Sequence, residues 1–315
     1  MKKVNLGNTG LEVSRICFGT LTVGPVQGRF PIERGGEVLA YGIEKGINFF
    51  DTAELYETYP YIKYAMDKTG KRDIVVSSKT YAYTAEMAHK AVEEARRELD
   101  RDYIDIFMLH EQESIHTLRG HMPALEVFYD YKAKGIIKAV GASMHHVAAV
   151  EGAIETGLDV IHPLINVKGL GVVDGTREDM ENAIKKAYEK GMGVFSMKSL
   201  GGGNLFKSAE ECLTYAVNNP YLHSVAIGMQ SEDEVDANID FFTNGYFTPG
   251  EKASLDNKNR KLHIDDWCIA CGECVSRCGQ KALSIKDDIA FCNHDKCILC
   301  GYCSTVCPMW AIKVV

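Results

Sequence analysis

The stretch Ile47-Asn48-Phe49-Phe50-Asp51-Thr52-Ala53-Glu54-Leu55-Tyr56 decides the fold. It begins as a short apolar run, the pattern of a buried strand. It then breaks into an acid, two small residues and, shortly after, a phenol. A carboxyl and a phenol at the mouth of a buried strand each need a polar partner once desolvated. Two later runs end in the same way. Ile74-Val75-Val76-Ser77-Ser78 stops at Lys79, and Tyr103-Ile104-Asp105-Ile106-Phe107-Met108-Leu109 stops at His110. Alone, any of these polar residues reads as a cap or a surface group. Together, three successive strands would deliver Asp51, Tyr56, Lys79 and His110 to one rim.

Outward from this stretch, strand and helix patterns alternate. Candidate strands are 15–18, 47–50, 74–78, 104–109, 137–142, 160–165, 193–197 and 224–227, after an N-terminal hairpin. Helical patterns follow each, at 31–45, 61–68, 85–99, 123–134, 146–155, 177–189, 209–218 and 232–240. Several stop at a glycine (Gly46, Gly70, Gly135, Gly157, Gly191), as a left-handed helix end requires. Eight strands alternating with eight helices predict an α/β fold, a closed parallel (β/α)8 TIM barrel with its sites at the carboxyl ends of the strands. A doubly wound open sheet is the alternative, but no Gly-x-Gly-x-x-Gly follows the first strand. The expected plan is a barrel over 1–247, a polar linker or last crossing helix over 248–263, and a small cysteine-rich unit over 264–315.

The chain has 315 residues and a net charge of −8, with no long basic run. Nucleic acid and anionic membranes are therefore not expected as partners. The start, Met1-Lys2-Lys3-Val4-Asn5-Leu6-Gly7, lacks the apolar core of a signal peptide. No stretch is apolar for the length of a membrane span. A cytoplasmic protein is expected. Of the eleven cysteines, only Cys17 and Cys212 lie in the long first part, and the other nine fall between 268 and 307. In an intracellular chain such crowding reads as metal binding rather than disulfides.

The ordered set Asp51, Tyr56, Lys79 and His110 resembles the aldo-keto reductase family. So do the opening Leu6-Gly7-Asn8-Thr9-Gly10-Leu11-Glu12-Val13-Ser14 and the run Asp51-Thr52-Ala53. The resemblance covers about residues 1–245. It implies a catalytic tetrad at the strand ends and a nicotinamide cofactor. Tyr56 would supply the proton, Lys79 would lower the phenol's pKa, Asp51 would hold Lys79 charged, and His110 would orient the substrate oxygen. The implied cofactor residues are Gly19, Thr20, Asp51, Ser143, His162, Met197, Ser199, Leu200, Gly201, Gly228, Gln230 and Asn238. Two of them, and the neighbour of a third, depart from the family pattern. Met144 follows Ser143 where the family usually has asparagine, His162 stands for a glutamine, and Met197 stands for a stacking aromatic. The turn Ser199-Leu200-Gly201-Gly202-Gly203 could bring backbone amides to a pyrophosphate, or be an ordinary flexible loop. At the adenosine end, Gly228 and Glu234 occupy places where relatives preferring NADP(H) carry cations, which predicts NAD(H). A small-molecule carbonyl or alcohol would lie among rim residues such as Tyr81, Tyr83, Gln112, Glu113, His116 and His121.

The tail carries two complete runs, Cys268-x2-Cys271-x2-Cys274-x3-Cys278 and Cys297-x2-Cys300-x2-Cys303-x3-Cys307-Pro308. This is the bacterial two-cluster ferredoxin spacing. Soft thiolates suit iron–sulfur clusters, and the fourth cysteine of each run crosses over. One 4Fe–4S cluster would take Cys268, Cys271, Cys274 and Cys307, and the other Cys297, Cys300, Cys303 and Cys278. Zinc is the alternative for paired Cys-x2-Cys motifs. Gly279 stands where proline is usual in the first run, and Cys292 reads as a buried thiol rather than a ligand.

Two functions compete at this level. One is a nicotinamide-dependent carbonyl reductase, or alcohol dehydrogenase, whose clusters pass electrons to a redox partner protein or serve structure. The other is an electron-transfer or redox-sensing protein whose barrel binds a nucleotide or docks a partner.

Overall fold

The computed structural model describes residues 1–256 and 258–315. Strands β1 (Lys3–Asn5) and β2 (Glu12–Ser14) pair antiparallel as the expected hairpin. Eight parallel strands follow: β3 (Ile16–Gly19), β4 (Phe49–Asp51), β5 (Val75–Thr80), β6 (Ile104–Gln112), β7 (Ile137–Met144), β8 (Val160–Pro163), β9 (Gly193–Ser196) and β10 (Ser224–Gly228). They close in sequence order, with β10 pairing back onto β3. The predicted barrel is therefore the observed one. Its helices include Ile32–Glu44, Ala85–Leu99, Arg177–Glu189 and Glu232–Asn244. All five helix-stop glycines have positive φ. An extra helix at Ile115–Gly120, capped by Ser114, fills a segment expected to be a loop.

The two-residue period of a strand sorts the side chains. On β4, Phe49 points into the barrel and Phe50 into the helix layer. Asp51 therefore points inward again. On β5, Val75 faces in and Val76 out, so Lys79 faces in. On β6, Ile106 and Met108 face in and Phe107 and Leu109 out, so His110 faces in. Leu6, Leu11 and Val13 of the hairpin plug the barrel floor beneath Cys17, Phe49 and Phe195. The apolar residues thus occupy the floor and middle of the barrel, and the polar ones gather at its carboxyl-terminal mouth.

Beyond the barrel, Pro249–Asp256 is a helix. The tail holds β11 (Leu262–Ile264), β12 (Leu283–Lys286), β13 (Ile289–Cys292) and β14 (Ile312–Val314). Strand β11 pairs with β14, and β12 with β13. Leu262 and His263, expected in the linker, are thus strand residues opposite the end of the chain. The tail's core is small, with Leu262, Leu283, Ala290, Ile312 and Val314 packed around Cys274, Cys292 and Cys303.

The tail is seated on the mouth of the barrel. Trp310 Nε1 donates to the Gly171 carbonyl at 3.3 Å. The Val314 amide donates to Gly202 O at 3.1 Å, and Asn204 Nδ2 donates to Ile312 O, also at 3.1 Å. Close approach explains two glycines here. A Cβ on Gly171 would lie 1.7 Å from the Trp310 ring, and one on Gly203 would lie 2.0 Å from the Val314 carbonyl oxygen. Both also have positive φ, where a side chain is strained.

Candidate active site

The inward-facing ends of β4 and β5 meet in a buried ion pair. Lys79 Nζ donates to Asp51 Oδ1 and Oδ2 at 2.8 and 2.7 Å and to the Thr52 carbonyl at 2.7 Å. The ammonium has three hydrogens and all three are taken. A buried chain of hydroxyls, Thr20 to Thr58 and Thr52 to Thr58, each at 2.7 Å, ties down the loop after β4. That loop turns through Glu54–Tyr56 and carries Tyr56 over the pair. Lys79 Nζ lies 5.0 Å from the centre of the Tyr56 ring. The Tyr56 hydroxyl is 3.4 Å from His110 Nε2. All four expected residues therefore meet at one rim.

Their electrostatics differ from the expectation in one respect. Lys79 was expected to pull the Tyr56 phenol down. Instead, burial pushes the phenol well above its usual value, and the carboxylates of Asp51 and Glu111 add to the rise. The reason is that Asp51 offsets the Lys79 charge, leaving desolvation to dominate. Burial, together with Lys79 and Lys198, holds His110 well below the usual imidazole range. At neutral pH the pair is a protonated phenol beside a neutral imidazole.

A cavity of about 740 Å³ opens beside the pair. All the expected cofactor residues line it except Ser143 and Gly201. Ser143 Oγ instead accepts from the Glu111 amide at 2.9 Å, joining β7 to the end of β6. Met144 faces the helix layer. Gly201 lies within the turn that receives the tail, and its amide donates to Lys198 O. His162 Nδ1 donates to the Phe195 carbonyl at 2.7 Å, which leaves Nε2 bare, 3.7 Å from Asp51 Oδ2. Burial lowers the pKa of His162 to about 4, so this contact is not an ion pair. Ser199 Oγ is buried on the cavity wall without a hydrogen-bond partner. Such an orphaned group fits a site that meets a polar ligand.

Of the rim residues, Tyr81 reaches the site and stacks on His110 with ring centres 4.5 Å apart. Gln112 turns back to the His110 carbonyl. Tyr83, Glu113 and His116 are exposed, and His121 Nδ1 bonds the Thr117 carbonyl. Sequence reasoning missed Lys198, Lys258 and Lys313, which also line the cavity. Lys258 lies 2.7 Å from Glu234 and 2.6 Å from Ser231 Oγ. The idea that no cation stands near Glu234 is thus corrected. Lys198 lay in view within the glycine-rich turn, but nothing local to Lys258 or Lys313 signals that each folds back onto the barrel.

In the tail, Cys268, Cys271, Cys274 and Cys307 line one small cavity, so the last cysteine of the second run joins the first three of the first. Burial, then the neighbouring Cys297 and Cys300, push the Cys303 thiol up to about 12. Cys292 is likewise pushed up to about 12, by burial first, with Cys297, Cys303 and Cys278 beside it. Crowded thiols of this kind suit a metal group that offsets their charge on deprotonation.

A model of the aldo/keto reductase family matches residues 15–211. The chain belongs to the aldo/keto reductase family. A 4Fe-4S binding domain matches residues 293–313 of this reductase. An L-galactose dehydrogenase from Arabidopsis thaliana is 26% identical over 279 residues, covering 74% of this chain and 86% of that protein. The holo form of an aldo-keto reductase from Bacillus halodurans superposes with a TM-score of 0.64 at 21% identity, over 81% of this reductase and 95% of that chain. A second, from Brucella melitensis, gives 0.61 at 16%, over 81% and 98%. These two structures share the barrel. The reductase is an oxidoreductase, and among its described residues no helix is long and apolar enough to cross a membrane.

The buried pair makes a stability prediction. Asp51→Ala leaves the Lys79 ammonium buried without its counterion and is expected to cost about 3–5 kcal/mol. The double variant Asp51→Ala/Lys79→Met, which removes both charges, is expected to recover most of that loss. Urea unfolding of the three proteins checks it.

Proposed function

We propose that this oxidoreductase reduces an aldehyde or ketone, or oxidises the corresponding alcohol, with a nicotinamide in the 740 Å³ cavity. The observation that carries the reading is the Tyr56 hydroxyl, 3.4 Å from a neutral His110, on a ring whose centre lies 5.0 Å from the saturated Lys79 ammonium. When bound, the reduced nicotinamide supplies the hydride. Tyr56 gives the proton to the carbonyl oxygen. The Lys79 ammonium beneath its ring stabilises the phenolate left behind. His110, kept neutral, aligns the oxygen without competing as a charged acid. Gly19, Thr20, Met197 and Ser199 would hold the cofactor.

Tyr56→Phe removes the acid and is expected to lower the reduction rate about 100- to 10,000-fold. The raised phenol pKa sets the pH window. The donor form persists through neutral pH and is lost only as pH rises through a value above the usual 10 or so. Reduction is therefore expected to stay level from about pH 7 to 9. Near-normal turnover by Tyr56→Phe, measured with NADH and a panel of aldehydes and ketones, sinks the assignment.

For the coenzyme we infer a preference for NAD(H). Lys258 is already engaged by Glu234 and Ser231, so a 2′-phosphate at Gly228 would have to displace that pair. Fluorescence titration with NADH and NADPH tests this, and tighter NADPH binding reverses it.

The tail, drawn from Leu262 because β11 pairs with β14, would hold two 4Fe–4S clusters. Cys268, Cys271, Cys274 and Cys307 would ligate one, and Cys297, Cys300, Cys303 and Cys278 the other. They would exchange electrons with a partner protein or hold the tail together, because a core this small depends on metal bonds. Anaerobic iron and sulfide analysis is expected to give about eight of each per chain. Cys278→Ala is expected to damage the cluster of the second run. One zinc and no sulfide per chain overturns the assignment.

A further inference from the structure

At the seam between the barrel mouth and the tail, two lysines from distant parts of the chain come together. Lys198 follows β9 and has φ +58. Lys313 lies on β14 and is 4% exposed. Their ammonium groups lie 5.4 and 5.2 Å from the centre of the Trp310 ring, and both side chains line the cavity. Within ion-pair distance the two lysines share a single carboxylate among the described residues, Asp265, while Glu111 acts on both from further off. Lys313 has Asp265 at 3.5 Å and bonds the Trp310 carbonyl. Lys198 has no carboxylate within ion-pair distance among the described residues. Its partner is His145 Nε2 at 2.9 Å, and His145 is held neutral chiefly by burial and by Lys198 itself.

Two neighbouring cations, Lys313 buried and Lys198 half-buried, are costly unless something offsets them. Burial first, then the neighbouring Lys313, lower the pKa of Lys198 to about 7 against the weaker opposing pull of Glu111 and Asp265. The position relative to the chemistry is also defined. His145 Nε2 is 3.9 Å from Glu111 Oε1. The Tyr81 hydroxyl donates to Glu111 Oε2 at 2.6 Å, and the Tyr81 ring stacks on His110. Contacts thus run from Lys198 through His145, Glu111 and Tyr81 to His110, the last of them a ring stack.

We propose that Lys198 and Lys313, each with its ammonium within 5.4 Å of the centre of the Trp310 ring, form an anion site for a carboxylate of the substrate, so that the preferred substrate is a carbonyl compound bearing an acid group. The inference rests on the reductase reading and adds a substrate class to it. It also gives the tail a place in the barrel's chemistry, because Lys313 and Trp310 are tail residues. The site is complete only when the tail is docked.

The test compares two aldehydes of similar length, succinic semialdehyde and butanal, with the holoprotein and saturating NADH. The acid is expected to be preferred in kcat/KM by on the order of 10- to 100-fold, the worth of a charge-assisted contact. Lys198→Met and Lys313→Met are each expected to shrink the ratio of acid to uncharged substrate towards one. Lys198 is half-buried, so its variant serves if Lys313→Met, which strands Asp265, fails to fold. Calorimetry with succinate gives a readout without turnover, and its binding is expected to weaken on the order of 10-fold in either variant. A wild-type enzyme that reduces both aldehydes equally, or a ratio untouched by Lys198→Met, overturns the inference and leaves the reductase reading standing. If neither these two aldehydes nor the wider panel of aldehydes and ketones turns over, the reductase reading fails, and the succinate titration alone decides the anion site. If Lys198→Met weakens NADH binding and not succinate binding, the anion is a dinucleotide phosphate and the substrate assignment is wrong.

Discussion

The mouth of the barrel is organised by one buried ion pair. Asp51 and Lys79 come from neighbouring strands, both face inward, and both are almost wholly removed from water. Such a pair survives only when every proton and lone pair has a partner. The Thr52 carbonyl takes the last ammonium hydrogen, and the hydroxyls of Thr20, Thr52 and Thr58 hold the loop that supplies it. The same loop carries Tyr56. The geometry of the candidate acid is therefore a consequence of satisfying a buried lysine, and the two cannot be adjusted separately.

The neutrality of the pair also decides the state of the groups around it. A bare ammonium below Tyr56 would favour the phenolate. With Asp51 bonded to it, the dominant effect on Tyr56 and His110 is loss of water, which favours the uncharged form of both. The site rests in the protonation state suited to giving a proton.

The tail is an appendage by its cysteines and part of the barrel's roof by its contacts. Its last strand passes so close to the turn after β9 that glycine is required at Gly203, and Trp310 presses on Gly171 in the same way. Gly203 looks in sequence like flexibility or phosphate binding. In the fold it is clearance for another strand, and Gly171 is clearance for an indole ring. A small unit with few apolar residues gains anchorage from this seam as well as from its thiols.

Local pattern alone determined a great deal. Alternating strand and helix signals, glycine stops and the polar endings of three apolar runs placed the barrel and the four rim residues, because period and strand ends are properties of contiguous sequence. Cysteine spacing likewise marked the 4Fe-4S binding domain that is matched over residues 293–313. The tertiary structure alone decided what depends on distant segments meeting. Met144 and His162 looked like comparable departures in the strands, yet Met144 faces the helices while His162 bonds Phe195 inside the barrel. Lys258 reached Glu234, and Lys198 reached Trp310 of the tail, across long sequence separations. No local propensity encodes such meetings. They follow from β11 pairing with β14 and from the packing of that sheet against the barrel mouth, where shape and desolvation choose the neighbours.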